Sequence, residues 1–150
     1  MATTTYFAFG SNLDQRQMRA RCPSAALVGP ATLPRHSLAF GGFSRRWGGG
    51  VASVVRDRRG CVEGVLYTLS LEDLTRLDAF EGHPFYYERV TRYVVDEHGR
   101  RRRAQVYVLD PIVARPFPPS VEYLHVIARA YRRFGFDRRA LSRALRMEVV

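Results

Sequence analysis

The sequence predicts the α+β class: short, mostly antiparallel strands interspersed with a few helices. Three observations carry this. A short aromatic strand near the N-terminus runs through a Gly-Ser-Asn turn into a helix; two later stretches carry hairpin signals; and two amphipathic helices follow serine caps. At 150 residues the chain fits a single domain, 1–150, with an arginine-rich helix over 136–150 at its end.

In chain order, Tyr6 to Phe9 forms the strand, Gly10-Ser11-Asn12 the turn, and Asp14 to Arg21 a helix that Pro23 stops. Residues 25–33 and 36–40 read as two strands around Pro34-Arg35, with Leu33, Leu38 and Phe40 buried. Phe43 to Gly50 reads as a glycine-rich loop carrying the only tryptophan, Trp47, and suits a pocket wall. Val51–Val55 and Val62–Leu69 read as a hairpin around the polar turn Arg56–Gly60. Ser70 caps the next helix with Asp73 in the capping-box position; Leu71, Leu74 and Leu77 share its inner face, and Gly82 ends it. Glu88–Val95 and Arg102–Leu109 form a second hairpin around Glu97-His98-Gly99. After the proline-rich link Pro111–Pro119, Ser120 opens a helix with Val121, Leu124, Ile127 or Ala128, and Tyr131 inward. Gly135 closes it, and Asp137 starts the tail helix.

Composition narrows the function. Hydrophobic content of 46% and charged content of 25% belong to a soluble globular protein. All 24 basic residues are arginine, with a net charge of +10. They are spread along the chain without a helix-turn-helix, zinc-finger or RNA-binding motif, so nucleic acid is not the expected partner. No apolar run reaches membrane-spanning length. Cys22 and Cys61, outside any CxxC, with no signal-like start, point to the cytoplasm. The four histidines lack metal-ligand spacing, and no nucleotide-binding glycine pattern or hydrolase elbow occurs, so neither metal nor cofactor is expected.

The turn at Gly10-Ser11-Asn12 can aim unpaired amides at an anion. By itself it names no enzyme. Five segments in order do more: FxFGSNL at Phe7–Leu13, WGGGVA at Trp47–Ala52, LDxxEG at Leu77–Gly82, YxL at Tyr107–Leu109 and PPSxEYL at Pro118–Leu124. Together they resemble the γ-glutamylcyclotransferase family over residues 4–130. The resemblance implies a small mixed barrel with a pocket at one end, and a reaction releasing 5-oxoproline and a free amine from a small-molecule γ-glutamyl amide. The substrate's own α-amine attacks its γ-carbonyl, so no enzyme nucleophile is needed.

The resemblance makes Glu81 the general base. Its place at a helix C-terminus, with Phe80 and Phe85 nearby, should raise its pKa. Phe9, Gly10, Ser11, Asn12 and Leu13 form the implied receptor for the substrate α-carboxylate. The family's commonest form has tyrosine where this chain has Phe9, so that phenol's hydrogen bond is lost. Gly49, Gly50 and Val51 are expected to line the pocket by backbone. Either Tyr86 or Tyr87 takes the pocket-tyrosine position, Tyr87 being slightly favoured, and Tyr107 and Tyr123 could supply further hydroxyls. Leaving-group choice falls to Phe43–Trp47 and residues 83–86. Alternatives are a specialised amine, such as an antibiotic intermediate or a γ-glutamyl-lysine, and a non-catalytic γ-glutamyl-binding module.

Overall fold

The computed structural model describes residues 2–110 and 112–147; Pro111 and the last three residues of the expected tail helix lie outside the described residues. Five strands close into a barrel in the order β1 (Thr3–Ala8), β3 (Gly49–Ser70), β2 (Ala26–Ser44), β4 (Tyr87–Asp96), β5 (Arg101–Leu109). Neighbours are antiparallel except at the seam, where β1 meets β5 in parallel at Tyr6 and Gln105. Closure leaves no continuous sheet edge unpaired. Consecutive strand residues point to opposite faces. Val65 and Leu66 are both fully buried, so β3 is covered on the barrel side and on the outside.

Two expected short strands and an expected hairpin became one long ribbon. Instead of 25–33 and 36–40, β2 is a single strand that kinks at Arg35, whose φ is 62°. Instead of reversing at Arg56–Gly60, the chain runs straight on as β3. Cys61 pairs with Pro34 and Arg56 with His36. Residues 57–60 therefore face only Arg35 across the ladder, an enlarged bulge rather than a turn. Its polar residues misled because outward-facing bulges and turns share a composition. The reversal lies at 45–48, between Ser44 and Gly49, so the expected loop 43–50 is strand at both ends and a four-residue turn in the middle. Leu33, Leu38 and Phe40 are buried as expected.

The helices follow their caps. Asp14 accepts from the Arg16 N–H (3.1 Å) at the head of α1 (Gln15–Arg21). Ser70 accepts from the Asp73 N–H (3.1 Å), and α2 (Leu71–Glu81) ends at Gly82, φ 69°. Ser120 accepts from the Tyr123 N–H (3.2 Å) to open α3 (Val121–Phe134), and α4 (Arg139–Met147) follows. Two face assignments change. Leu71 is half exposed, leaving Leu74 and Leu77 inside. The inner stripe of α3 is Tyr123, Ile127, Ala130 and Tyr131, with Val121 exposed. Both misassigned residues are the first residue of their helix. Among the described residues no helix is long and apolar enough to cross a membrane.

Residues 115–118 lie across the tip of the β2–β3 ribbon. The Gly42 N–H donates to Arg115 O (2.8 Å) and the Gly50 N–H to Pro118 O (2.9 Å). A Cβ on Gly50 would stand 2.0 Å from Phe117 O, a backbone atom that cannot swing aside. Gly50→Ala is expected to lose about 3 kcal/mol in urea unfolding, the upper range of overpacking. Gly48→Ala, where φ is 73° but the space is open, should lose only about 1 kcal/mol.

Candidate active site

The site begins where β1 ends. Gly10 leads into a 3-10 turn, Ser11–Leu13, in which the Leu13 N–H donates to Gly10 O and the Asp14 N–H to Ser11 O, each at 3.0 Å. The N–H groups of Ser11 and Asn12 thus fall outside the turn's own bonds. The Asn12 side chain, only 3% exposed, is the hub. Its Nδ2 donates to the Tyr6 hydroxyl (2.9 Å) and to Glu81 Oε1 (3.1 Å). Its Oδ1 accepts from Gln17 Nε2 (3.0 Å) and Arg21 Nη1 (3.2 Å). Every polar atom of a buried amide is thereby paired, as burial demands.

Glu81 is the last residue of α2, with 13% of its side chain exposed. Burial is the main cause that pushes its carboxyl up from about 4.5 to about 7. Arg21, 3.7 Å from Oε1, and the Asn12 bond pull it back. The neighbours differ from those expected: Phe85 is 84% exposed and Phe80 half exposed, so the enclosing groups come from β1, the turn and α1. Phe80 instead lies against the Arg21 guanidinium at 5.1 Å. His83 accepts from the Arg89 N–H (3.0 Å) and makes no hydrogen bond to Glu81.

Glu81 stands at the junction of two spaces. An outer groove of about 290 Å³ runs between the ribbon tip and the end of α2. A narrow recess of about 30 Å³ continues inward from it beside Gly10, Ser11 and Asn12. Ser11, Glu81, Tyr87 and Tyr123 line both. The recess exists because β1 pairs with β3 only up to Val65, so nothing in the sheet faces Ala52 from that side. Two phenols take the missing strand's place: the Ala52 N–H donates to Tyr123 (2.9 Å), and the Tyr87 hydroxyl donates to Ala52 O (2.7 Å). The Tyr107 hydroxyl donates to Asp78 (2.6 Å). The hydroxyl hydrogens of Tyr87 and Tyr107 are thus engaged, whereas the hydroxyls of Tyr123 and Tyr6 act as acceptors, which leaves their own hydrogens uncommitted in these bonds.

The fold brings together Phe9, Gly10, Ser11, Asn12, Glu81, Tyr87, Tyr107 and Tyr123 around the recess, and Val51 and Tyr86 line the groove. Tyr86 and Tyr87 both reach it; the Tyr86 hydroxyl is buried without a partner. Three expected contributors stand elsewhere. Leu13 is buried in the core, facing α3. Gly49 and Gly50 meet the backbone of 117–120, so their lack of side chains serves chain crossing. Of residues 83–86 only Tyr86 lines the groove; Phe43–Trp47 all do.

Sequence reasoning missed Arg21, Tyr6 and Asp78. Arg21 had a usable signal: it follows Met18 by three positions on the inner side of α1, an odd place for a charge unless it is paired. Asp78 also accepts from Arg89 Nε (2.8 Å), tying α2 to the barrel. Among the described residues no three His, Cys, Asp or Glu side chains gather as a metal set.

Barrel, recess and a buried titratable carboxyl describe a site of small-molecule size. The chain belongs to the family described as gamma-glutamyl cyclotransferase, AIG2-like, whose profile matches residues 6–125. Mouse gamma-glutamylcyclotransferase is 30% identical over 138 residues, 89% of this chain and 72% of its own. The human gamma-glutamylcyclotransferase is 30% identical over 135 residues, 87% and 71% of the two chains. A solved gamma-glutamyl cyclotransferase structure superposes with a TM-score of 0.86 at 26% identity, covering 95% of this chain and 86% of that one.

The Glu81 carboxyl has a higher pKa folded than unfolded, so its protonated form favours folding. That contribution is complete below about pH 4.5 and is lost as pH rises through about 7. Glu81→Gln should therefore match wild type in thermal unfolding near pH 4.5 and exceed it at pH 8.5 by up to about 3 kcal/mol. Arg21→Met, which removes a charge that lowers this pKa, should move the Glu81 midpoint above 7 in a carboxyl carbon NMR titration.

Proposed function

We propose that this protein is a γ-glutamylcyclotransferase that converts a small γ-glutamyl amide to 5-oxoproline and a free amine, with Glu81 as the proton-transfer group. The observation that carries the reading is Glu81 itself: a nearly buried carboxyl, with a pKa of about 7, at the junction of recess and groove. Family membership and the relatives' names support the reaction class.

In this reading the γ-glutamyl end enters the recess, its α-carboxylate against the Ser11 and Asn12 amides, and the leaving group lies in the groove. Ionised Glu81 takes a proton from the substrate α-ammonium. The freed amine attacks the γ-carbonyl carbon and forms the lactam C–N bond. The hydroxyls of Tyr123 and Tyr6, whose hydrogens are uncommitted, face the recess where the carbonyl oxygen gains charge. Collapse breaks the bond to the leaving nitrogen, and Glu81 returns the proton there. The ammonium loses two protons and the leaving amine gains two, so Glu81 ends as it began. Alignment within one molecule offers about 7–11 kcal/mol, against a factor of roughly 10²–10⁴ for the base. Positioning thus outweighs proton transfer. The free thiols Cys22 and Cys61 suit a reducing cytoplasm.

The test is 5-oxoproline release from γ-glutamyl amino acids, followed by mass spectrometry. The wild-type kcat/KM should rise with pH through about 7 as Glu81 ionises. Glu81→Gln should lose roughly 10²–10⁴-fold and that rising limb with it. Turnover by Glu81→Gln near the wild-type rate would remove Glu81 from its role.

A further inference from the structure

The outer groove is unevenly charged. Arg21, Arg45 and Arg46 line it, and among the described residues its only carboxylate is Glu81. Arg21 is engaged with Asn12 and Glu81. Arg45 and Arg46, at the tip of the β2–β3 ribbon, make no ion pair and no side-chain hydrogen bond among the described residues. Many other arginines are likewise without an ion pair among the described residues; what distinguishes these two is that they line the groove.

Nor does Arg46 simply trail into solvent. Its guanidinium lies 5.6 Å from the Trp47 ring centre, and that ring packs edge-on against Tyr123 at 5.0 Å. A cation–π contact of this kind holds the charge on the groove wall, and the wall is continuous with the recess through Tyr123. Two guanidiniums with no carboxylate at ion-pairing distance among the described residues therefore line the space the leaving group would occupy, Arg46 acting on Glu81 only through space. A planar guanidinium favours a carboxylate and disfavours an ammonium.

Building on the cyclotransferase reading, we propose that Arg45 and Arg46 select the leaving group by charge. The preferred substrates are γ-glutamyl conjugates of acidic amino acids, whose α-carboxylate and side-chain carboxylate together match the two arginines. A leaving group with a cationic side chain, such as lysine, meets two like charges and is rejected. The aromatic wall of Phe43 and Trp47 carries the aliphatic stem of the amino acid and does not distinguish the candidates.

The experiment uses three dipeptides of similar length, γ-glutamyl-glutamate, γ-glutamyl-glutamine and γ-glutamyl-lysine, each joined through the α-amine. Initial rates of 5-oxoproline formation give kcat/KM at low and high salt. The expected order is glutamate over glutamine by about tenfold and glutamine over lysine by several-fold, with the spread shrinking in high salt as exposed charges are screened. In Arg45→Gln/Arg46→Gln the three values should converge to within about threefold, with circular dichroism verifying the fold. Equal rates in the wild type, or an order that survives in the double variant, overturn the proposal while leaving the cyclotransferase reading intact. Absence of 5-oxoproline from all three overturns both.

Discussion

The site depends on the hydrogen bond from Asn12 to Glu81. It joins the turn after β1 to the last residue of α2, two points 69 residues apart in sequence. Asn12 can hold that position because its other bonds are filled: Tyr6 on one side of the amide, Gln17 and Arg21 on the other. The Tyr67 hydroxyl donates to its backbone carbonyl as well (3.0 Å). A buried amide with all its partners in place has one low-energy orientation. Glu81 inherits that orientation, and β1, β3, α1 and α2 are all committed to it.

Around this hub the protein trades stability for chemistry. Burial alone would drive Glu81 to a permanently neutral acid, and full ion pairing with Arg21 would leave it a permanently weak base. The arrangement lies between the two. Arg21 approaches within 3.7 Å but also donates to Asn12 and is stacked on Phe80, so its charge moderates the burial without cancelling it. An ionised Glu81 is a cost to the folded state above neutrality. In the proposed reaction, a carboxyl that accepts and then returns a proton needs that balance.

The recess is likewise a defect in regular structure. Where β1 leaves β3, Ala52 would expose an unpaired N–H and C=O inside the protein, an expensive arrangement. Tyr123 from α3 and Tyr87 from β4 close both groups with their hydroxyls. Backbone satisfaction and site lining are therefore one task here. The same logic covers the ribbon tip, where glycines admit residues 115–118 close enough for backbone bonds, and so bring α3 with Tyr123 onto the site.

The sequence by itself determined what is local. Ser70, Gly82, Ser120 and Gly135 mark two helices, Gly99 lies in the reversal between β4 and β5, and the Gly-Ser-Asn turn and Glu81 are readable as motifs with positions attached. Each depends on neighbours within a few residues, where propensity and capping act. Strand length was not readable, because the bulge at 57–60 and the true reversal at 45–48 are both short stretches containing two arginines and a closing glycine. Pairing across to Pro34 and His36 decides between them. Nor were the roles of Arg21, Tyr6 and Asp78 readable. Their meaning comes from partners on other elements, and only barrel closure places those partners within hydrogen-bonding distance. Tertiary structure likewise decided that Gly49 and Gly50 serve chain crossing while Tyr123 and Tyr87 serve the recess, since steric clearance and backbone pairing are properties of two segments, not one.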